Sequence, residues 1–337
     1  MLTRAMAKKK LLTLSDHTWF MREVLDPGTP VASVTCAEGC ILVGGASVFR
    51  VGPGSWDVQY RGLPEGTEMP ISIAMEPRPP YRVAVGPESG DVIIFTDTTT
   101  SSSVTGHTFT AQRGSKQAME LSWVVNDGQS SLFARTDDGG LYRMQTGGWD
   151  TVEMPPVRAI AHDGQGGFAA LTVVDGAPKA YLSYNGAATF AYRSLGVEVE
   201  AEPDAHATLA LANGAVALAV GDSGPMISRG SGTVTTRHPA LGRAYALAFQ
   251  DADPQGWLYV ALQRSATEPA AVWILAADGS SIKVMDFLAD DGEPLELGPI
   301  AWDSARKALV VSSRGGLIAM GPEGPKRSRA KKKPVTQ

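Results

Sequence analysis

The most reactive-looking stretch of the chain is Gly221-Asp222-Ser223-Gly224-Pro225, where a serine follows an acid inside a glycine-flanked segment. A serine nucleophile needs a histidine base held beside it and an acid behind the histidine. No histidine with a matching apolar context accompanies this one, and Gly and Asp supply the backbone conformations of a tight turn, so the segment reads as a turn. Cys36 and Cys40 flank Ala37-Glu38-Gly39 and are neighbours across a predicted hairpin. Zinc takes four ligands, and no second Cys/His pair accompanies these two. They are expected as reduced, half-buried thiols, and a disulfide framework is excluded. The five histidines (His17, His107, His162, His206, His238) are scattered, and no metal-binding, phosphate-binding or dinucleotide motif occurs. No catalytic residue, metal site or cofactor is therefore assigned.

Charge supplies a second set of candidates. The net charge of −5 hides a division. Arg4, Lys8, Lys9 and Lys10 stand in the first ten residues without an acid, and Lys326, Arg327, Arg329, Lys331, Lys332 and Lys333 in the last twelve. Setting those ten charges aside leaves −15 on residues 11–325. Carboxylates concentrate in 197–204 (Glu198, Glu200, Glu202, Asp204) and in 289–296 (Asp290, Asp291, Glu293, Glu296). The acidic loops suit a basic protein partner, whose approach charge would steer. The basic tail suits phosphates of nucleic acid or an anionic surface, contacted without base reading because no aromatic residue is interleaved.

The elements that must position these groups are short strands. Apolar segments recur in fours, separated by turn residues. The first set is 31–36, 40–43, 47–51 and 56–60, and the innermost members begin near 31, 71, 119, 157, 207, 245 and 300. The mean step is about 45 residues, the length of a four-stranded blade. Long helical periodicity is absent. The seventh set has only three members, and residues 17–24 alternate like a strand yet belong to no other set. The expected fold is all-β: a closed β-propeller of about seven four-stranded blades, the last completed by the N-terminal strand, which removes an exposed sheet edge. The domain plan is a basic arm over 1–16, one propeller over 17–320 and a basic disordered tail over 321–337. The innermost strands are rich in Ala, which suits strands converging on a channel, and the seven tryptophans are read as packing between blades.

Ser183-Tyr184-Asn185-Gly186-Ala187-Ala188-Thr189-Phe190 resembles the Asp-box of BNR-type propellers, Ser-x-Asp-x-Gly-x-Thr-Trp, with Asn for Asp, Ala for Gly and Phe for Trp. Thr136-Asp137-Asp138-Gly139-Gly140 is a weaker echo. Trp56-Asp57, Trp149-Asp150 and Trp302-Asp303 resemble the closing pair of tryptophan–aspartate repeats, without the glycine–histidine partner. The resemblance implies the propeller architecture. A likeness to sialidases would further imply an arginine triad, a Tyr–Glu pair and an Arg-Ile-Pro segment. Tyr81-Arg82-Val83 is the nearest echo and lacks the proline, so no catalytic role is carried over.

The expected function is a non-catalytic scaffold presenting face loops to a protein partner. The alternatives are an Asp-box-type glycan hydrolase or lyase, and an accessory nucleic-acid binder using the basic ends. No apolar run is long enough for a transmembrane helix. The start MLTRAMAKKK is followed only by a short Leu-rich patch, too short for a secretory signal, so the expected location is cytoplasmic.

Overall fold

The computed structural model describes residues 13–323, apart from 15–16, 26–30, 38, 46, 53–55, 62, 64, 97–106, 111–115, 146–147, 194–204, 230–234, 252–255, 264–267, 277–278, 289–294 and 314–315. Seven antiparallel sheets form the blades of a closed propeller, and consecutive innermost strands are neighbours around the whole ring. From channel to rim, blade 1 is Val31–Ala37, Gly39–Gly44, Ser47–Val51 and Val58–Arg61. Blade 2 is Pro70–Met75, Arg82–Pro87, Asp91–Thr96 and His107–Thr110. Blade 3 is Ala118–Asn126, Gln129–Thr136, Leu141–Gln145 and Gly148–Thr151. Blade 4 is Val157–His162, Phe168–Val174, Ala177–Ser183 and Ala191–Arg193. Blade 5 is Ala207–Ala212, Ala215–Val220, Met226–Ser228 and Thr235–Arg237. Blade 6 is Ala244–Phe249, Leu258–Leu262, Ala271–Leu275 and Ser281–Asp286.

Blade 7 contributes Leu297–Asp303, Ala308–Ser313 and Gly316–Glu323, and the N-terminal strand His17–Leu25 closes it. That strand runs antiparallel to Gly316–Glu323, with Thr18 opposite Glu323 and Leu25 opposite Leu317. A two-residue strand, Thr13–Leu14, folds back outside it, so this blade has five strands where four were expected.

One rung explains how the ring packs. Aligning the seven innermost strands by their pairing places Val34, Ile73, Leu121, Ile160, Leu209, Leu247 and Ile300 at equivalent positions. All are large, aliphatic and buried, and each joins a cluster shared with the preceding blade: Ile73 with Ile41, Ile160 with Phe133, Leu209 with Leu171, Ile300 with Tyr259. The next rung holds only small residues, Thr35, Ala74, Ser122, Ala161, Ala210, Ala248 and Ala301, as converging strands require. The rung after that holds Cys36, Met75, Trp123, His162, Leu211, Phe249 and Trp302. Six of these are apolar and one is a histidine.

Polar contacts join the blades as well. The Ile160 amide and the Arg135 guanidinium both donate to Glu120, at 2.8 and 3.0 Å, tying blade 3 to blade 4. Arg158 donates to the Ala205 carbonyl at 3.0 Å, and Trp302 Nε1 donates to Asp251 at 2.8 Å. Arg306, paired with the buried Asp303, lies over the Trp56 ring at 4.4 Å and ties blade 7 to blade 1. Trp123, Trp149 and Trp302 are buried packing residues, as their blade positions imply.

The cysteines depart from expectation. Cys36 and Cys40 form a disulfide, S–S 2.04 Å, where free thiols were expected. They sit directly opposite one another on the first hairpin with Cα atoms 4.1 Å apart, so pairing register, which spacing alone did not supply, brings the sulfurs together.

Candidate functional site

The strand directions sort the loops into two faces. One collects the connections between blades and the turns between second and third strands. The other collects the turns after the innermost strands, the turns before the outermost strands, the start of His17–Leu25 and the end of Gly316–Glu323. On the first face, the described part includes Glu65, Glu68, Glu88, Asp137, Asp138, Asp175 and Asp222, all exposed. Lys116 lies beside this group and is paired with Asp138. The ammonium of Lys116, the Thr136 hydroxyl and the Gly140 amide hold Asp138 down to about 2. The sequence candidates Glu198, Glu200, Glu202, Asp204, Asp290, Asp291 and Glu293 lie outside the described residues. So do Lys8, Lys9, Lys10, Lys326, Arg327, Arg329, Lys331, Lys332 and Lys333.

The second face holds the mouth of the central channel, a cavity of about 630 Å³. Its lower wall includes Val34, Ile160, Leu209, Leu247 and Ile300 from the aliphatic rung. Its rim comes from the ends of the innermost strands and the turns after them, where His162, Asp163, Gln165, Asp251 and Ser304 stand among apolar residues such as Met75, Phe249 and Trp302. Asp163 accepts hydrogen bonds from the amides of Gln165 (2.7 Å) and Gly167 (2.9 Å), which folds the blade 4 turn around its carboxylate. Asp251 is committed to Trp302 and to Lys307 (2.9 Å). Burial would raise its pKa, but these partners and Ser304 hold it below the ordinary carboxylate value. His162 is partly exposed overall, yet its Nδ1 is sealed without a hydrogen-bond partner. Burial pushes the imidazole pKa down, opposed in part by the Asp163 charge, so the ring is neutral at physiological pH.

Gly221-Asp222-Ser223-Gly224-Pro225 is a turn between second and third strands of blade 5. The Ser223 amide donates to Val220 O at 3.2 Å and the Ser223 hydroxyl donates to the next residue's carbonyl, Gly224 O, at 3.3 Å. Gly224 has φ +72°, and a Cβ there would collide with the His238 carbonyl, so the glycine is required by both dihedral and space. The nearby His206 Nε2 is engaged by Tyr245 O at 2.9 Å. Arg82, the echo of an arginine triad, is bound through Nε and Nη2 to the buried Glu76 at 2.8 and 3.0 Å and stacks on Trp123 at 4.4 Å. It is a strut between blades 2 and 3. The Asp-box-like turn is closed by Ser183 Oγ to Asn185 (2.7 Å) and by the Thr189 amide to Asn185 (3.1 Å), and Phe190 meets Phe168 edge-on at 5.9 Å.

Among the described residues no group of three or more His, Cys, Asp or Glu is placed to hold a metal, and no helix is long and apolar enough to cross a membrane. No protein-family model and no curated protein matches the chain. The fold itself is shared: a chain in the crystal structure of the Mitotic Checkpoint Complex superposes with a TM-score of 0.64 over 96% of this chain and 98% of that one, at 12% identity. The class is thus a seven-bladed β-propeller, a fold that hosts many functions.

Proposed function

We propose that this propeller is a non-catalytic binding scaffold whose acidic loop face receives a basic protein partner. The observation that carries the reading is a group of exposed carboxylates on one face. Glu65, Glu68, Glu88, Asp137, Asp175 and Asp222 come from four different blades or their connections and share one face. We extend that face to the inter-blade segments 197–204 and 289–296. A rigid ring suits such a role because its loops are held at fixed separations with little ordering cost on binding. The solved chain that shares this fold belongs to a complex, which agrees with a scaffold role.

The test is affinity capture from the source cells with the native chain and with a variant in which Glu198, Glu200, Glu202, Asp290, Asp291 and Glu293 are changed to Lys. The reading expects a reproducible partner whose association slows with added salt and is lost in the variant. Equal capture by both proteins, or turnover of a glycoside panel by the purified chain, would overturn it. The hydrogen-bonded turn at Ser183–Thr189 is the observation favouring the glycan alternative. The pairing of Thr18 with Glu323 supports a second reading, in which the basic arm and tail form a surface apart from the acidic loops. In this reading they flank the propeller as contacts for phosphate-bearing surfaces, and an electrophoretic shift of DNA that survives deletion of 326–337 would remove that role.

A further inference from the structure

The third rung of the innermost strands is apolar in six blades and histidine in the fourth. A buried polar atom without a partner costs free energy, and native proteins rarely keep one without a use. Ser122 Oγ, Trp123 Nε1, Trp149 Nε1, His238 Nε2 and His162 Nδ1 are such atoms among the described residues, and of these five residues only His162 lines the channel cavity. Beside it, Asp163 is pinned by two backbone amides and meets no cation within the described residues, whereas the other rim carboxylate, Asp251, is matched by Lys307. The lining continues with Leu211 and Phe249 on the same rung as His162 and with Leu209 below it.

We infer that the channel mouth between blades 4, 5 and 6 is a binding site for a small organic amine with an apolar body, its ammonium against Asp163 beside the His162 ring and its apolar part against Leu209, Leu211 and Phe249. The volume, about 630 Å³, falls within the range of small-molecule pockets, and the lining sets fixed polar groups beside apolar side chains. A neutral imidazole suits a cation, since a charged one beside the ammonium would repel it. This site lies on the opposite face from the acidic loops and stands independently of the scaffold reading.

The experiment is calorimetric titration of the full chain with tryptamine, with neutral indole and with anionic indole-3-propionate. The inference expects saturable one-to-one binding of tryptamine, with the anion weaker by at least about tenfold. Asp163→Asn keeps the turn, because the amide oxygen still accepts from Gln165 and Gly167, yet it should weaken tryptamine about tenfold and abolish the preference over indole. His162→Leu places in blade 4 the residue that blade 5 uses at that rung. It should weaken tryptamine while the melting temperature stays level or rises, which separates a lost site from a lost fold. Absence of saturable tryptamine binding, equal affinity for amine and anion, or unchanged affinity in both variants would overturn the inference.

Discussion

Replacing His162 by leucine should stabilise this protein, against the usual direction for a substitution on an innermost strand. The imidazole occupies a position filled in the other blades by Cys36, Met75, Trp123, Leu211, Phe249 and Trp302, and its Nδ1 is sealed without a partner. Leaving such an atom unsatisfied costs about 1–3 kcal/mol. The ring is partly open to the cavity, so a gain near the lower bound, about 1 kcal/mol at pH 8, is expected. The gain should grow in mild acid. Burial depresses the folded pKa of His162, so the unfolded chain binds a proton that the folded chain refuses. The wild type is then fully stable above the unfolded value of about 6.5 and loses stability as pH falls below it, by at most about 1.4 kcal/mol per pH unit per group. His238, depressed by burial in the same direction, remains in the variant, so the acid slope should shrink without vanishing. Urea unfolding of both proteins at pH 8 and pH 5.5 reads this directly. A variant less stable than the wild type at both values, or an unchanged acid slope, would refute the reasoning.

Leu209→Ala should cost about 2–5 kcal/mol, because the side chain fills the gap between blades 4 and 5 and its removal leaves a cavity; chemical denaturation measures it. Glu76→Gln breaks a buried carboxylate's bidentate pairing with Arg82 and should cost about 1–3 kcal/mol after allowance for the partly exposed guanidinium. Burial opposes ionisation of Glu76, but Arg82 and Ser130 hold its pKa below the ordinary value, so the lost stability is the part present above the unfolded carboxylate pKa. It fades as pH falls through the folded one, and the two proteins' denaturation curves should converge in acid. Reducing the Cys36–Cys40 bond should lower stability by about 2 kcal/mol, the loop-closure value for so short a loop, seen as an earlier urea midpoint with reductant. Lys116→Met, by contrast, should leave the urea midpoint unmoved despite the low Asp138 pKa, because the pair is exposed.

The ring was legible because a propeller repeats one local pattern. Alternating strands near 45-residue steps, a seventh set with no fourth strand after 317–320 and an unclaimed strand at 17–24 together implied the closure seen in the pairing of Thr18 with Glu323. What escaped depends on register. Cys36 and Cys40 read as a spacing of four; only the hairpin alignment makes them opposite partners. His162 read as one of five scattered histidines, and it becomes anomalous only when seven strands are aligned rung by rung. That alignment was hidden because a bulge shifts the first rungs in every blade except blade 5, from Val31/Ser33 in blade 1 to Leu297/Ile300 in blade 7. Arg82 looked like a catalytic echo because its partner, Glu76, precedes the turn rather than adjoining it.

Fastening the ring through its outermost strand has a consequence for how the molecule can be rebuilt. The first and last strands of the ring meet as register partners at Thr18 and Glu323, so a short peptide could join those two points without crossing the ring. New ends could then be cut at an exposed hairpin such as the one at Gly279, with the covalent break moved from blade 7 to blade 6. A rearranged chain of this kind would keep every blade, and it would carry its termini at a different point on the same circle.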